Sequence, residues 1–478
     1  KGDRVYTQLP LVPANWLSYL AAIKGGLILI PAATTLAERD IAYRFETLFP
    51  QVAVADEENA RKIDAAEGQS TQAIQLKILV SGQRAGWIPL SEIENEAGEA
   101  EASDTRADDS LFYFFTSGTT GLPKVVTHTQ FTYPLGHLST ASWIGLRPGD
   151  VHYNISQPGW AKFAWSSFFA PWAMGACIFA HQVSKFVVRE QLEAMVKYGI
   201  STFCAPPTVL RMMVQEDLSH YDLKFRQCVA AGEPLNPDVI DKWQKGTGTI
   251  IRDGYGQTET TCLAANLPGA KIKFGSMGKP TFMYQIIIAD EQGQELPALE
   301  EGHICVAMKE DQAFGVFKEY LGDPERDQKV FKNGLYYTGD KAYRDEEGFI
   351  WFVGRNDDVI KASDYRIGPF EVESVLIEHE SVVEAAVVAS PHELRGYAVK
   401  AFVVLAEGYS AHPELAQELF AFSEKNLALY KIPRIIEFVD SFPKTISGKI
   451  RRIELRAREA QAKVDRLKVV QEYFHEKY

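Results

Sequence analysis

The segment Thr116-Ser-Gly-Thr-Thr-Gly-Leu-Pro-Lys124 follows the apolar run Leu111–Phe115, which is typical of a buried strand. Its glycines allow the backbone to approach a ligand closely, and its hydroxyls and terminal lysine are groups that bind phosphate oxygens. It is not a Walker A motif, because Gly118 and Gly121 are too close together and no Lys-Ser/Thr pair follows a second glycine. We interpret it as a phosphate-binding loop, and a structural turn of the same composition remains the alternative.

Short apolar strands alternate with helical patterns along most of the chain, which predicts an α/β fold with a largely parallel sheet. Val151–Ile155 and Cys228–Ala231 are two of these strands. Between Ile286 and Phe352 the strands become shorter and glycine turns more frequent, which predicts a β-rich subdomain. After Arg355 a compact unit begins, and the polar residues Asn356-Asp357-Asp358 mark its boundary.

Length and composition exclude several classes of protein. The chain has 478 residues, enough for about three domain-sized units. Its net charge of −13 argues against a general nucleic-acid binder, and no uninterrupted apolar run reaches the length of a membrane helix. The five cysteines are scattered without a Cys-x-x-Cys pair, which favours free thiols in a reducing compartment over disulfides or a metal site.

Three further motifs follow in a fixed order. They are Asp253-Gly-Tyr-Gly-Gln-Thr-Glu-Thr260, then Tyr337-Thr-Gly-Asp340 with Gly354-Arg-Asn-Asp-Asp358, then Pro443-Lys-Thr-Ile-Ser-Gly-Lys449. With these motifs the chain resembles the acyl-adenylate-forming superfamily, which includes acyl-CoA synthetases, luciferases and the adenylation domains of peptide synthetases. Tyr365-Arg-Ile-Gly-Pro-Phe-Glu-Val-Glu-Ser374 and Arg395-Gly396 look most like the medium-chain acyl-CoA synthetases. The resemblance extends from the first residues to about Arg456.

The resemblance implies a two-domain organisation. Residues 1–356 would form a large N-terminal domain of layered α/β subdomains with a small β-barrel-like subdomain, which binds ATP and the acid. Residues 357–478 would form a small mobile α+β domain that rotates about a hinge at Asp357, although an ordinary surface turn is the alternative there. The chain begins inside the family's first subdomain, so we expect an N-terminal segment to precede it. We expect a cytoplasmic location and leave the mitochondrial matrix open.

The resemblance also assigns the residues of an ATP site. Lys449 would bridge carboxylate and phosphate oxygens, Thr258 would donate to the α-phosphate, and Glu259 would bind Mg²⁺; these three are the expected catalytic residues. A carboxylate beside phosphates is chemically sensible only with a cation, which supports the metal role of Glu259. The expected ATP-binding residues are Thr116, Ser117, Gly118, Thr119, Thr120, Gly121, Lys124, Gly232, Glu233, Pro234, Asp253, Gly254, Tyr255, Gly256, Gln257, Thr258, Asp340, Arg355, Arg366 and Lys449.

Each of these residue types also has an ordinary structural role. A lysine in a basic C-terminal run is usually solvated, a Thr-Glu pair often caps a helix, and Asp340 with Arg355 could form a surface ion pair. The order and spacing of the motifs favour the catalytic interpretation over these alternatives.

The positions that would contact CoA match the family, with one departure at Asp364. Ser363, Asp364, Tyr365 and Arg395 match the CoA-contacting positions of the medium-chain group. Asp364 stands where many relatives carry glycine, and its side chain would either obstruct the thiol tunnel or point outward.

The acyl pocket is expected around Gly256 and Trp160. Acetate-specific relatives carry a tryptophan where this chain has Gly256, so the glycine is expected to leave the pocket open to an acid longer than acetate. The aromatic residues near Trp160 could instead be ordinary core packing. No acidic residue lies between Pro158 and Met174, which disfavours an amino-acid substrate.

These observations predict an ATP-dependent acid–CoA ligase with ATP, Mg²⁺ and CoA as ligands. Its acid would be medium-chain, branched or aromatic, and it would bind no nucleic acid; a homodimer is one assembly that the sequence leaves open. An adenylating enzyme that loads a carrier-protein phosphopantetheine is the alternative among enzymes. A nucleotide-binding scaffold is the alternative from another class, and the presence of Lys449, Glu259 and Arg366 together argues against it.

Overall fold

The structure, a computed structural model, describes residues 1–70, 73–94, 98–116, 123–183, 185–309, 313–362, 365–392, 396–444, 449–465, 469 and 471–475. For Lys361, Tyr365 and Arg366 it describes the backbone alone. The chain divides into two compact units: Lys1–Ile286 with Val306–Tyr336, and Ile287–Cys305 with Tyr337–Tyr478. Among the described residues, no helix has the length and apolar character that crossing a bilayer requires.

The first unit contains two sheets that are parallel except near one edge. The strands of the first sheet lie in the order Glu319–Tyr320, Lys124–Thr129, Ser110–Thr116, Ile28–Pro31, Arg4–Gln8, Val52–Ala55, Leu76–Leu79 and Ile88–Pro89. Lys124–Thr129 pairs antiparallel with both of its neighbours. The strands of the second sheet lie in the order Lys279–Pro280, Cys262–Ala265, Ile251–Gly256, Gln227–Ala230, Thr202–Ala205, Val151–Asn154 and Cys177–Phe179.

Helices connect and cover these strands. Some of them begin at a residue with a capping side chain: the Asp56 carboxylate accepts a hydrogen bond from the Asn59 N–H, and the Asn236 side chain accepts one from the Asp238 N–H, with a proline at the first helical turn. Each sheet buries its own apolar cluster. The helices of this unit are Ala14–Gly25, Glu38–Leu48, Glu57–Glu67, Leu90–Glu94, Thr132–Ile144, Ala161–Ala164, Ala170–Ala173, Val188–Lys197, Pro207–Met213, Pro237–Thr247 and Pro324–Val330, with a π-helical turn at Trp165–Phe169 and a 3₁₀ turn at Leu218–His220.

The second unit is α+β. Its strands Val382–His392, Gly396–Leu405, Ile435–Phe438 and Glu472–Phe474 form one sheet in that order, and Ile360–Ala362 pairs with Tyr365–Ile367. The helices Pro369–Ile377, Pro413–Asn426 and Arg452–Val464 accompany this sheet, with a 3₁₀ turn at Leu429–Lys431. A further sheet contains Ile286–Ala289, Gly302–Ala307, Leu335–Arg344 and Ile350–Arg355, most of whose residues belong to this unit, and the short strand Phe331–Lys332, which belongs to the first.

These elements confirm the predicted mixed α/β class and the β-rich segment between Ile286 and Phe352. The compact units do not divide at residue 356, because residues 337–356 cluster with the C-terminal residues. Compactness does not report movement, so the hinge at Asp357 stays a prediction.

A buried lysine joins the C-terminal strand and the last helix to the sheet of the second unit. Lys400 is fully buried, and its Nζ lies 2.6 Å from a Glu437 carboxylate oxygen and 2.5 Å from oxygens of both Glu459 and Glu472. Glu459 also accepts a 2.6 Å hydrogen bond from the Ser390 hydroxyl. Burial acts to lower the pKa of Lys400, but the three carboxylates outweigh it and raise that pKa. A buried charge is tolerated when it is paired and hydrogen-bonded in this way.

We expect Lys400→Met to destabilise the protein by roughly 3–5 kcal/mol, because it removes the buried cation that contacts all three carboxylates and leaves them with only the more exposed Arg458 and Lys463. Urea denaturation measures this, and Lys245→Met, which removes an exposed i,i+4 pair with Asp241, should change stability by less than about 1 kcal/mol.

The pKa of Glu459 is lowered despite burial, chiefly by hydrogen bonds from Lys400 and Ser390. Its contribution is therefore present above the pKa of an unfolded glutamate and is lost as the pH falls through the folded pKa. A Lys400→Met protein with wild-type stability and acid sensitivity would contradict this account.

Candidate functional site

An ion pair between the half-buried Lys124 and the buried Glu259 joins the two sheets of the first unit. Lys124 begins the strand Lys124–Thr129, and Glu259 lies in the turn that follows the strand Ile251–Gly256. Lys124 Nζ stands 2.5 Å from Glu259 Oε1 and donates a 2.6 Å hydrogen bond to the Tyr320 hydroxyl. Tyr320 O–H donates to the same Glu259 oxygen at 2.9 Å, and the lysine also lies over the tyrosine ring, 4.1 Å from its centroid. Two residues expected in the ATP site are thus in direct contact.

The surroundings of Glu259 keep its carboxylate ionised. Burial acts to raise the pKa of Glu259, but the charge of Lys124 and hydrogen bonds from Lys124 and Tyr320 outweigh it, so the pKa lies below its ordinary value. Burial together with the neighbouring Glu259 charge raises the pKa of Tyr320, which stays protonated and able to donate. The site therefore holds an ionised carboxylate at neutral pH, in contact with the Lys124 side chain.

The Thr258-Glu259 pair lies in a turn between two antiparallel strands, so the helix-capping interpretation is wrong. The turn is held by the Gln257 N–H, which donates to Thr260 Oγ1 at 3.0 Å, and by the Phe317 N–H, which donates to the Glu259 carbonyl at 2.8 Å. Tyr336 O–H donates to Gln257 Oε1 at 3.0 Å. The position of Glu259 is thus set by backbone and side-chain contacts together.

His128 supports the same turn, and the sequence interpretation missed it. Its Nε2 lies 2.7 Å from the Thr258 carbonyl oxygen, and its Nδ1 lies 3.3 Å from Thr132 Oγ1. Burial lowers the pKa of His128 to about 4, so the ring is neutral and Nε2–H donates to the carbonyl. The available signal was a histidine inside the apolar strand that starts at Lys124.

The expected adenine-contacting segment, Gly232, Glu233 and Pro234, follows the strand Gln227–Ala230. Glu233 accepts hydrogen bonds from the Thr208 backbone N–H at 2.9 Å and from Arg211 at 3.3 Å. Lys162 donates to the Ala231 carbonyl at 3.0 Å, which connects the Trp160–Trp165 segment to this one.

Asp253 is buried at the centre of the second sheet's last parallel strand. It accepts hydrogen bonds from the Gly254 N–H at 2.9 Å and the Leu235 N–H at 3.4 Å. Burial raises the pKa of Asp253 to about 7. Asp253 therefore ties the segment after Pro234 to the strand that carries Tyr255, which is half-buried.

The backbone of Gly256 is closely packed, and the expectation that this glycine leaves the acyl pocket open stays a prediction. A Cβ at position 256 would overlap the Thr261 carbonyl oxygen and stand 2.6 Å from Trp165 Cη2. The Thr261 carbonyl and the edge of the Trp165 indole together leave no room for a Cβ at position 256. Trp160 is half-buried and packs against the apolar cluster of the first sheet. Trp165, which the sequence interpretation treated as one of several aromatics, is the residue in contact with Gly256.

The second unit carries the remaining described candidates. Asp340 is buried and lies opposite Arg355 in paired strands, with Asp340 Oδ1 3.8 Å from Arg355 Nε. Lys449 is exposed and precedes Ile450, which forms a β-bridge with Lys444. The backbone of Arg366 pairs with that of Lys361 in the short hairpin, as does that of Tyr365 with Ala362.

Several predicted residues lie outside the described parts of the chain. They are Ser117, Gly118, Thr119, Thr120, Gly121, Ser363, Asp364 and Arg395. Thr116, at the end of its strand, and Lys124 mark the two ends of the predicted phosphate-binding loop. Their roles, like those of the CoA-contacting residues, stay predictions.

The predicted hinge residue Asp357 is exposed in a hydrogen-bonded turn. The Asp358 N–H donates to the Arg355 carbonyl at 2.9 Å, and Arg456 donates to the Asp357 carbonyl at 3.0 Å. Arg456 also forms an ion pair with Asp358. The backbone at position 357 is thus tied to the helix Arg452–Val464 within the second unit.

We expect Gly256→Ala to reduce acid-dependent exchange of pyrophosphate into ATP by at least about tenfold. The added methyl overlaps a backbone carbonyl, so the turn that carries Thr258 and Glu259 must shift, and displacements near 1 Å are costly at a reacting centre. Gly98→Ala adds the same methyl where no atom lies within 4 Å and serves as the control. Wild-type exchange by Gly256→Ala would show that the turn absorbs the methyl without moving its functional groups.

Comparison with known proteins identifies the family. The AMP-binding enzyme family matches residues 1–321, and the AMP-binding enzyme C-terminal domain matches residues 371–449. The chain is 47% identical over 464 residues to 4-hydroxybutyrate–CoA ligase 1 of Metallosphaera sedula. This match covers 96% of this chain and 81% of the relative. It is 43% identical over 464 residues to the mitochondrial acyl-coenzyme A synthetase ACSM3 of Mus musculus, covering 96% and 80% of the two chains.

Solved structures agree with these relatives. The anthranilate CoA ligase AuaEII, in complex with anthranoyl-AMP, is 28% identical with a TM-score of 0.88 over 97% of this chain and 89% of that chain. The acyl-CoA synthetase of Brucella canis is 32% identical with a TM-score of 0.71 over 97% and 85%. These relatives do not favour the carrier-protein alternative. The chain therefore belongs to the AMP-binding enzyme family and is an AMP-forming acid–CoA ligase, for which ATP and CoA are substrates.

Proposed function

We propose that this enzyme activates a monocarboxylic acid longer than acetate, and that Lys124, Thr258, Glu259 and Lys449 carry the adenylation half-reaction. The observation that supports it is the Lys124–Glu259–Tyr320 contact at the end of a hydroxyl-rich segment. A fixed cation and hydroxyl donors in a water-poor site are what stabilise charge on a transferring phosphoryl group.

In the proposed first half-reaction, a carboxylate oxygen of the acid attacks the α-phosphorus of ATP. The bond between that phosphorus and the bridging oxygen breaks, and pyrophosphate leaves with the bonding electrons. The Thr258 hydroxyl donates a hydrogen bond to the α-phosphate. The positive charge of Lys449 offsets the negative charges of the acid's carboxylate and of the α-phosphate. His128 holds the Thr258 carbonyl, which keeps the hydroxyl-bearing residue in place.

The residues present fit Mg²⁺. Glu259 offers one ionised, buried carboxylate, and Mg²⁺ is commonly bound by one or two carboxylates together with substrate phosphates. Lys124 Nζ lies 2.5 Å from Glu259 Oε1. The Glu259 carboxylate would therefore interact with both the lysine and the metal. A bound Mg²⁺ would supply further positive charge beside the phosphate oxygens.

In the proposed second half-reaction, the CoA sulfur attacks the acyl carbonyl carbon and the bond to the phosphate oxygen of AMP breaks. The thiol proton is lost to solvent, and AMP leaves as an anion. Ser363, Asp364, Tyr365 and Arg395 are the proposed CoA contacts, and rotation about Asp357 would remove Lys449 before the thiol enters. Such gating answers the need for one site to hold pyrophosphate first and a thiol later.

The acid is proposed to be medium-chain, branched or aromatic. Support comes from relatives whose names specify acids larger than acetate, such as 4-hydroxybutyrate and anthranilate. Asp340 and Arg355 are proposed to bind the ribose, and Tyr255 with Gly232–Pro234 to flank the adenine. A cytoplasmic or mitochondrial location and the formation of a homodimer are also proposals. The name of the ACSM3 relative describes that protein as mitochondrial.

A panel of acids tests this function. Purified protein with Mg²⁺ and ATP should exchange pyrophosphate into ATP with acids larger than acetate, and adding CoA should yield AMP and the acyl-CoA in equal amounts. Acetate and a carrier protein bearing phosphopantetheine are the comparison substrates. Exchange without acyl-CoA, but with acylation of the carrier, would overturn the CoA assignment, and preference for acetate would overturn the acid class.

We expect Lys449→Ala to lower adenylation by at least about a hundredfold and to leave thioester formation from supplied acyl-adenylate within a few-fold of wild type. The reason is that this charge is needed between carboxylate and phosphate but not for thiol attack, and the loss of one such group typically costs a factor of 10² or more. Single-turnover assays of each half-reaction measure this.

Two variants complete the test. Lys425→Ala removes an exposed charge from the same unit and should affect neither half-reaction. Asp357→Pro fixes φ at the proposed hinge and should impair thioester formation while sparing adenylation. Equal losses of both half-reactions in Lys449→Ala would show that the lysine does not serve adenylation alone.

A further inference from the structure

We propose that Tyr320 is a positioning residue for adenylation: its hydroxyl keeps the Glu259 carboxylate in place when Lys124 turns to the phosphates of ATP, so that metal binding and nucleotide binding favour each other. The inference rests on the proposed function, in which Lys124 binds phosphate and Glu259 binds Mg²⁺. It goes further by adding a residue that acts through Glu259 and by coupling the two ligands.

Two donors converge on one oxygen of the Glu259 carboxylate. Lys124 Nζ lies 2.5 Å from Glu259 Oε1, and the Tyr320 O–H donates a hydrogen bond to the same oxygen at 2.9 Å. Lys124 also donates to the Tyr320 oxygen at 2.6 Å, so the three groups form a closed triangle. A carboxylate accepts at both of its oxygens, and Oε2 therefore keeps acceptor capacity for a further cation while Oε1 is held.

Of the two donors, Lys124 is the one that a nucleotide can attract. It begins its strand directly after the predicted phosphate-binding loop, and its ammonium stands at the end of a flexible four-carbon chain. A triphosphate bound at that loop carries several negative charges and would draw the ammonium away from Glu259. The buried carboxylate then loses its charged partner, which is costly unless another donor remains.

Tyr320 stays in place because its backbone and its ring are both anchored. Its strand pairs antiparallel with Lys124–Thr129, and its N–H donates to Asp327 Oδ1 at 2.8 Å. Its ring centroid lies 4.6 Å from that of Phe317, whose N–H donates to the Glu259 carbonyl at 2.8 Å. Burial and the charge of Glu259 raise the pKa of the Tyr320 hydroxyl, which therefore keeps the proton that it donates.

This arrangement couples the nucleotide to the metal. When Lys124 moves to the phosphates, its charge no longer offsets that of Glu259, and the carboxylate attracts Mg²⁺ more strongly. The Tyr320 hydroxyl meanwhile holds the carboxylate in one orientation. Each ligand thus raises the affinity for the other, as linkage requires, and the size of the effect depends on the hydroxyl.

The substitution Tyr320→Phe tests the proposal, because it removes the hydroxyl and keeps the ring. The readout is the Kd of ATP from isothermal titration calorimetry, measured in Mg²⁺ and in EDTA without acid or CoA. Loss of a hydrogen bond to a charged group costs about tenfold or more, so the gain in ATP affinity that Mg²⁺ provides should shrink by about tenfold. The Kd in EDTA should stay within about twofold of wild type, since Tyr320 does not contact the nucleotide.

Pyrophosphate exchange gives a second readout on the same variant. The kcat should fall by about tenfold for the same reason, while the KM of the acid should stay within about twofold of wild type. Tyr409→Phe is the matched control, because the exposed Tyr409 hydroxyl also donates to a glutamate, Glu380, at 2.9 Å. It should change neither readout.

Tyr320→Leu separates the hydroxyl from the ring. It should show the same loss of the Mg²⁺-dependent gain as Tyr320→Phe and, in addition, a lower melting temperature, because it removes the ring that packs against Phe317. Thermal denaturation of each variant measures the stability and establishes that the protein is folded.

The outcomes separate this inference from the proposed function. A reduced Mg²⁺-dependent gain in Tyr320→Phe, with wild-type behaviour in Tyr409→Phe, supports the inference. An unchanged gain, or an equal loss of ATP affinity in Mg²⁺ and in EDTA, overturns the inference alone, provided that the wild type exchanges pyrophosphate with an acid. A wild type whose ATP affinity does not respond to Mg²⁺ also overturns it. Failure of the wild type to exchange pyrophosphate with any acid overturns the proposed function and the inference together.

Discussion

The ion pair between Lys124 and Glu259 is the interaction on which the site depends. The two residues are 135 positions apart, and each comes from a different sheet of the first unit. The buried Glu259 carboxylate would not be stable there alone, since an unpaired buried ion is costly. Tyr320, on the strand that pairs with Lys124–Thr129, hydrogen-bonds both partners. The pairing therefore fixes the two sheets relative to each other at the point where phosphate chemistry is expected.

Other buried polar side chains in this unit form hydrogen bonds with backbone groups. The neutral ring of His128 holds the Thr258 carbonyl, and Lys162 holds the Ala231 carbonyl. Asp253 accepts hydrogen bonds from the Leu235 N–H, just after the expected adenine segment, and from the Gly254 N–H, just before Tyr255. Each bond satisfies a loop group that would otherwise be unpaired where water is scarce. The loops that are expected to meet a nucleotide are thus positioned by side chains from neighbouring strands and from the helix Ala161–Ala164.

The second unit has an independent core and an independent electrostatic centre. Its apolar cluster is formed from its own strands and helices, and Lys400 with three glutamates ties the edge strand Glu472–Phe474 and the helix Arg452–Val464 to the sheet. A unit with its own core can keep its structure without relying on another domain. This is the property that a domain needs if it is to serve two half-reactions in different positions.

The sequence by itself determined the fold class, the family and the reaction, because these depend on local patterns. Strand and helix alternation, the glycine–hydroxyl segment before Lys124 and the ordered motifs ending at Lys449 are each readable over a few residues. Tertiary structure alone decided which groups meet. Tyr320 lies 196 residues from Lys124, His128 lies 130 residues from Thr258, and the edge of Trp165 packs against Gly256 from a separate segment. A glycine shows in sequence that a side chain is missing, but the groups that pack against it are set by contacts between distant elements, which no local pattern encodes.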